Sequence, residues 1–191
     1  MEEDVIMTPV GVLMVEHLLI ERMMDLMERK LGGIKPETKP DMVFVDGVMD
    51  FAKTYADVCH HGKEERIFFD KLAMKNLLPE HKQVMDELVL EHIQARKIVA
   101  NLEIAREDFM KGDPGASQRI LTICKSVWQI YPGHMAKEEK VFFPPAAIWS
   151  KALARPGLQK ISPAFGARPS IVNSSPLTAS RSWCCTLRCQ K

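Results

Sequence analysis

Aromatic residues are scarce in this chain, 7% of 191 positions, and glycine fills only 10 of them. That shortage disfavours a β-sandwich or barrel, which draws on aromatic and β-branched strands and glycine-rich turns. No apolar run approaches the 18 residues a membrane-crossing helix requires. The N-terminal stretch MEEDVIMTPVGVLM carries acids where a secretory leader carries positive charge, so the expected location is cytoplasmic. Five cysteines show no paired spacing: Cys59 and Cys124 stand alone in helical patterns, while Cys184, Cys185 and Cys189 crowd the far end. This excludes a disulfide framework as the source of stability.

What remains is the balance of an ordinary globular chain, 46% hydrophobic and 27% charged, with 12 methionines. The near-neutral total hides a division. Residues 1–139 hold 25 acidic against 18 basic side chains, a net of −7, whereas residues 140–191 hold 8 basic and no acidic ones, a net of +8. An acidic body argues against nucleic acid as a partner, because phosphate binding needs clustered lysine and arginine on the folded surface. Neither a phosphate-cradling glycine loop nor a nucleophile elbow is present.

Four long helical patterns follow one another. The first opens at Thr8-Pro9 and runs to about Leu31, where Gly32-Gly33 ends it; Pro36 and Pro40 keep the connection out of helix. The second starts near Asp41 and continues to about Met74. After a break from Asn76 to Pro79 the third covers about Glu80 to Lys111, stopped by Gly112-Asp113-Pro114. The fourth runs from about Gly115 to Phe143 and halts at Pro144-Pro145. Short connections make successive helices antiparallel neighbours, so the expected fold is all-α, an up-down-up-down four-helix bundle over residues 1–148. Residues 149–191 form a basic, Ser/Pro-rich stretch without apolar period, expected to be a poorly ordered tail.

Three histidines are each followed four residues later by a glutamate: His17 with Glu21, His60 with Glu64 (overlapped by His61 with Glu65), and His134 with Glu138. Residues four apart share one helix face about 6 Å apart, so two such side chains can address one point. The second and fourth helices also repeat each other. HHGKEERIFF at 60–69 aligns with HMAKEEKVFF at 134–143, which pairs His60 with His134 and Glu64 with Glu138. His134 shares its stripe with Ile123, Val127, Ile130 and Val141; His92 with Met85, Leu88 and Val99; His17 with Leu13, Ile20 and Met24. The stripe of His60 carries Met49, Ala56 and Ile67, and that of His61 carries Asp50 and Asp57. This favours His60 as the inward member, while Phe68 and Leu72 near the His61 stripe leave the choice open.

Counted from the connecting loops, one histidine of each helix falls at the same level within about 1.5 to 8 Å at 1.5 Å per residue. Two carboxylates buried beside them cost several kcal/mol each unless a cation accompanies them, and the predicted faces supply no lysine or arginine. Four imidazoles with two carboxylates suit a pair of first-row transition ions, iron above all. Two six-coordinate ions need about 12 bonds; four histidines provide four. Two bridging glutamates provide four more, and an oxo or hydroxo bridge two, which leaves about two positions open. Methionine-rich walls limit water and admit only small ligands.

Four segments, EHLLIERM around His17, CHHGKEERIFF around His60, LEHIQARKIV around His92 and YPGHMAKEEKVFFP around His134, resemble in order those of the hemerythrin-like, HHE cation-binding family. The resemblance covers about residues 5–148. It implies a bundle with a non-haem di-iron centre, terminal histidine ligands, and Glu64 and Glu138 as bridges. One departure concerns the third helix, where oxygen-carrying members are expected to place a second histidine four residues after the first and this chain has Arg96. In that respect the set is similar to the iron–sulfur cluster repair and iron-sensing branches. A second is the abrupt change of composition near Ala147.

The expected function is therefore binding or sensing of a small diatomic ligand, dioxygen or nitric oxide, or storage and donation of iron, without a membrane partner. A di-iron enzyme reducing peroxide or nitric oxide shares every ligand, and a metal-free helical interaction module is the alternative outside metal chemistry. Glu21 reads as an outer or exposed carboxylate, His81 as too far along the third helix for the same metal, and Cys59 as a small core residue. Pro132, just before His134, is expected to disturb its helix.

Overall fold

A computed structural model describes residues 8–35 and 38–146. Pro36 and the proposed tail at 149–191, with Cys184, Cys185 and Cys189, lie outside those residues. All regular secondary structure among the described residues is helical and forms four rods packed as a helical bundle.

The first helix, Pro9–Leu31, starts where expected: the Thr8 hydroxyl accepts the Gly11 N–H at 3.1 Å, and Pro9 occupies the first helical position. It ends at Gly32, where an added Cβ would lie 2.8 Å from the Glu28 carbonyl oxygen. The second rod begins with Met42–Asp50, capped by the Asp41 carboxylate on the Phe44 N–H. It then departs from the sequence expectation of a plain α-helix. Phe51–His61 and Glu64–Phe69 are π-helical, with backbone bonds to the fifth residue rather than the fourth, before a last α-helical turn at Asp70–Ala73.

The third helix, Pro79–Met110, stops at Gly112, whose φ of 87° is unfavourable for residues with a side chain. The fourth, Ala116–Lys137, passes through Pro132, which has no N–H to offer the Trp128 carbonyl. It continues as a π-helical turn, Glu138–Phe142, and then as helix through residue 146. The chain therefore does not halt at Pro144-Pro145 as its prolines suggested. Proline is tolerated in the first positions of a new helical stretch.

The wider turns change which residues face inward. Val141, assigned to the buried stripe of His134, is 50% exposed, while Phe142 and Phe143 are buried. In the equivalent stretch of the second rod Ile67 is 36% exposed and Phe68 and Phe69 are buried.

Two apolar clusters result. One joins Ile20, Met23 and Met27 to Tyr55, Ala56, Leu102, Val127, Tyr131 and Met135. The other joins Leu13, Leu72, Met85 and Leu88 to Phe68, Phe69, Phe142 and Phe143. In every rod a stretch of histidine or glutamate lies between the residues belonging to the two clusters, so a polar layer crosses the bundle between them.

Candidate metal centre

His17, His60, His61, His92, His134, Glu64 and Glu138 meet in that layer, all of them buried, with both glutamates at 0% exposure. The four imidazoles singled out from sequence arrange themselves as two facing pairs. His17 Nε2 lies 3.1 Å from His60 Nε2, and His92 Nε2 lies 3.2 Å from His134 Nε2.

The two glutamates stand between the pairs, each turning one oxygen to either side. Glu64 places Oε1 3.6 Å from His60 Nε2 and Oε2 3.4 Å from His92 Nε2. Glu138 places Oε2 3.2 Å from His17 Nε2 and Oε1 3.2 Å from His134 Nε2. Two ligand sets follow, each with its donor atoms within 4.8 Å of one another: His17, His60, Glu64 and Glu138; and His92, His134, Glu64 and Glu138.

A further ring of carboxylates, not foreseen from the sequence, orients the imidazoles. His17 Nδ1 donates to Glu139 at 2.8 Å, His60 Nδ1 to Glu16 at 3.1 Å, His92 Nδ1 to Glu65 at 2.7 Å, and His134 Nδ1 to Glu91 at 2.8 Å. With Nδ1 engaged by a carboxylate, each ring is turned so that its Nε2 faces the centre, where it can ligate a metal. Lys63 donates to Glu16 and Lys137 to Glu91, while Arg96 Nη2 donates to Glu65 at 2.9 Å. The signal for this ring was present: each of these glutamates adjoins a centre residue, Glu16 and Glu91 before His17 and His92, Glu65 and Glu139 after Glu64 and Glu138. What each one touches, however, lies on another rod.

The donor set fits metal ions on physical grounds. Two imidazole nitrogens facing each other at about 3 Å must have a proton or a metal ion between them, and none of the four carboxylate oxygens of Glu64 and Glu138 has a hydrogen-bond partner. Burial, reinforced by the neighbouring Glu138 carboxylate, pushes the Glu64 carboxyl well above its usual range. Burial also opposes charge on Glu138, but the imidazoles of His134, His17 and His92 outweigh it and hold that carboxyl well below its usual range. Burial, opposed by the Asp57 carboxylate and reinforced by His92, His60 and His134, pushes His61 down to about 3, so this ring is neutral. The cationic side chains of Lys63, Lys137 and Arg96 are engaged by the outer carboxylates.

Some sequence readings resolve differently. His60 and His61 are both turned inward, at 1% and 2% exposure, instead of one excluding the other. Glu21 is exposed, so the four-residue spacing after His17 does not deliver a centre carboxylate; Glu138 and Glu139 reach that histidine from the fourth rod. Cys59 is buried, with Lys63 Nζ 3.2 Å from its sulfur. Beside the centre a cavity of about 150 Å³ is bordered by Asp57, His61, Arg96, Val99 and Tyr131.

The family model described as Hemerythrin HHE cation binding domain matches residues 8–146 of the chain. No curated protein and no solved structure matches it. No helix among the described residues is long and apolar enough to cross a membrane.

Proposed function

The chain belongs to the hemerythrin HHE cation-binding family, and on that footing we infer that it is a cytoplasmic non-haem di-iron protein that binds a small diatomic ligand, dioxygen or nitric oxide. Its bundle is read as up-down-up-down. The two apolar clusters support this, since the residues of one precede the histidine in the first and third rods and follow it in the second and fourth.

The observation that carries the reading is the placement of Glu64 and Glu138, each with one oxygen beside either imidazole pair. His17 and His60 would hold one iron, His92 and His134 the other, and the two glutamates would join them, together with an oxo or hydroxo bridge. Two such ions supply redox-active positions where a small molecule can coordinate. The protein's own part is to fix the ring orientations through Glu139, Glu16, Glu65 and Glu91. It also keeps bulk water out with Phe68, Phe69, Phe142 and Phe143 on one side and Tyr55, Tyr131 and Met135 on the other. The 150 Å³ cavity beside His61 and Tyr131 has room for a diatomic and not for a large organic substrate.

Loading the full chain anaerobically with ferrous iron, followed by desalting and metal analysis, is expected to give about two irons per chain. An iron-free chain after loading refutes the reading. Nitric oxide added to the loaded protein is expected to saturate at a fixed stoichiometry; continuous consumption of nitric oxide or peroxide refutes a pure binding role in favour of turnover.

A further inference from the structure

His61 has no place in the six-residue set, yet it is as buried as the others. Its ring stacks on His92, with centroids 3.9 Å apart and planes 10° apart, and lies 5.8 Å from the ring of His134. One nitrogen from each of His61, His92 and His134 falls within a mutual 4.8 Å. Neither nitrogen of His61 makes a hydrogen bond. An imidazole nitrogen buried without a partner has lost its hydration with nothing in exchange, so a merely packed histidine is a poor explanation of this position.

Its surroundings repeat those of the other four rings. Each of those has a carboxylate at Nδ1, and His61 Nδ1 has the Asp57 carboxylate 3.6 Å away. Asp57 is in turn held by Arg96, whose Nε donates to it at 2.7 Å while Nη2 donates to Glu65 behind His92. The arginine one helical turn after His92 thus secures the carboxylates behind two neighbouring imidazoles.

The internal repeat shows what is special about this residue. In the alignment of 60–69 with 134–143, His60, Lys63, Glu64 and Glu65 meet His134, Lys137, Glu138 and Glu139, but His61 meets Met135. The pairing of contacts obeys the same exchange: Glu16 on His60 and Lys63 corresponds to Glu91 on His134 and Lys137. His61 therefore breaks the near-twofold equivalence of the two halves of the centre.

We propose that His61 is a third terminal imidazole for the ion held by His92 and His134, so that the centre has five histidine ligands and two inequivalent metal positions. This rests on the di-iron reading above. By the same coordination count, a fifth imidazole leaves about one open position per pair of ions instead of about two.

The test uses the full chain loaded with ⁵⁷Fe(II), alongside His61→Met, which copies the residue at the equivalent place in the repeat, and His61→Ala. Iron per chain, competition with a ferrous chelator and Mössbauer spectra are measured on all three, with circular dichroism of the iron-free proteins as the check on folding. The wild type is expected to show two ferrous doublets of equal area. His61→Met is expected to bring the doublets together and to weaken one of the two irons more than about tenfold, since even carboxylates behind a ligand are worth that much. Millimolar imidazole is expected to restore the second iron in His61→Ala, an effect a packing role would not produce. Two irons bound with wild-type affinity and unchanged doublets in either folded variant overturn the fifth ligand and leave the di-iron reading intact. A wild-type chain that binds no iron overturns both.

Discussion

Replacing Glu16 isolates the contribution of one orienting carboxylate. Glu16 is 4% exposed; one oxygen accepts the Nδ1 proton of His60 at 3.1 Å, and the other accepts from Lys63. Burial opposes its ionisation, but His60 and Lys63 outweigh burial and hold the carboxyl below its ordinary range. In Glu16→Ala the buried His60 nitrogen loses its acceptor, whereas Lys63, 21% exposed, can turn to water. The iron-free protein should lose about 1–3 kcal/mol, the cost of leaving the buried His60 donor without its acceptor. Iron affinity should fall about 10–100-fold, or about 1.4–2.7 kcal/mol, because His60 is no longer fixed in the tautomer that aims Nε2 at the metal. The loss should be confined to one of two equivalents, since His92 and His134 keep Glu65 and Glu91. Chelator competition under anaerobic conditions resolves the two equivalents, and urea unfolding of the iron-free chain gives the stability term. Glu16→Gln retains an acceptor and should lie between wild type and alanine on both scales. If Glu16→Ala folds and binds both irons within twofold of wild type, the orienting role is refuted.

Other perturbations separate the centre from its scaffold. Glu64→Gln should leave the iron-free chain as stable as wild type or more so, because it removes an unpaired buried acid, yet cut bound iron from about two to one or fewer; thermal melts with and without iron check the opposite signs. Leu102→Ala, at 0% exposure between helices, should cost about 2–5 kcal/mol in urea unfolding while bound iron stays at the wild-type value at low temperature. Deleting residues 149–191 should change neither iron content nor melting temperature, a direct check of where the domain ends.

The sequence was legible wherever an interaction is set by helical period or by a terminator. Thr8-Pro9, Asp41, Pro79 and Gly112 mark helix ends through their own backbone chemistry, and the structure begins or stops helices beside each of them. His17, His92 and His134 were readable as inward-facing because Leu13, Ile20 and Met24, Met85 and Leu88, and Val127, their apolar neighbours at helical spacing, are buried in the clusters. The same reasoning failed at Val141 and Ile67. A π turn takes in an extra residue, and the face computed from a regular helix drifts past it.

What the chain determined alone is the inventory: four rods, a histidine on each at a common level, and two acids a turn beyond two of them. Only packing decided the pairing of those groups. Glu16 serves His60, 44 residues away, and Glu139 serves His17 across 122 residues. Arg96 joins Asp57 to Glu65, and the widened turns bring His61 inside beside His60. The reason is that helical period is a property of consecutive backbone bonds, written locally. Which lone pair confronts which carboxylate depends on how separate rods are rotated and set in depth, and that is fixed by the burial of the whole core.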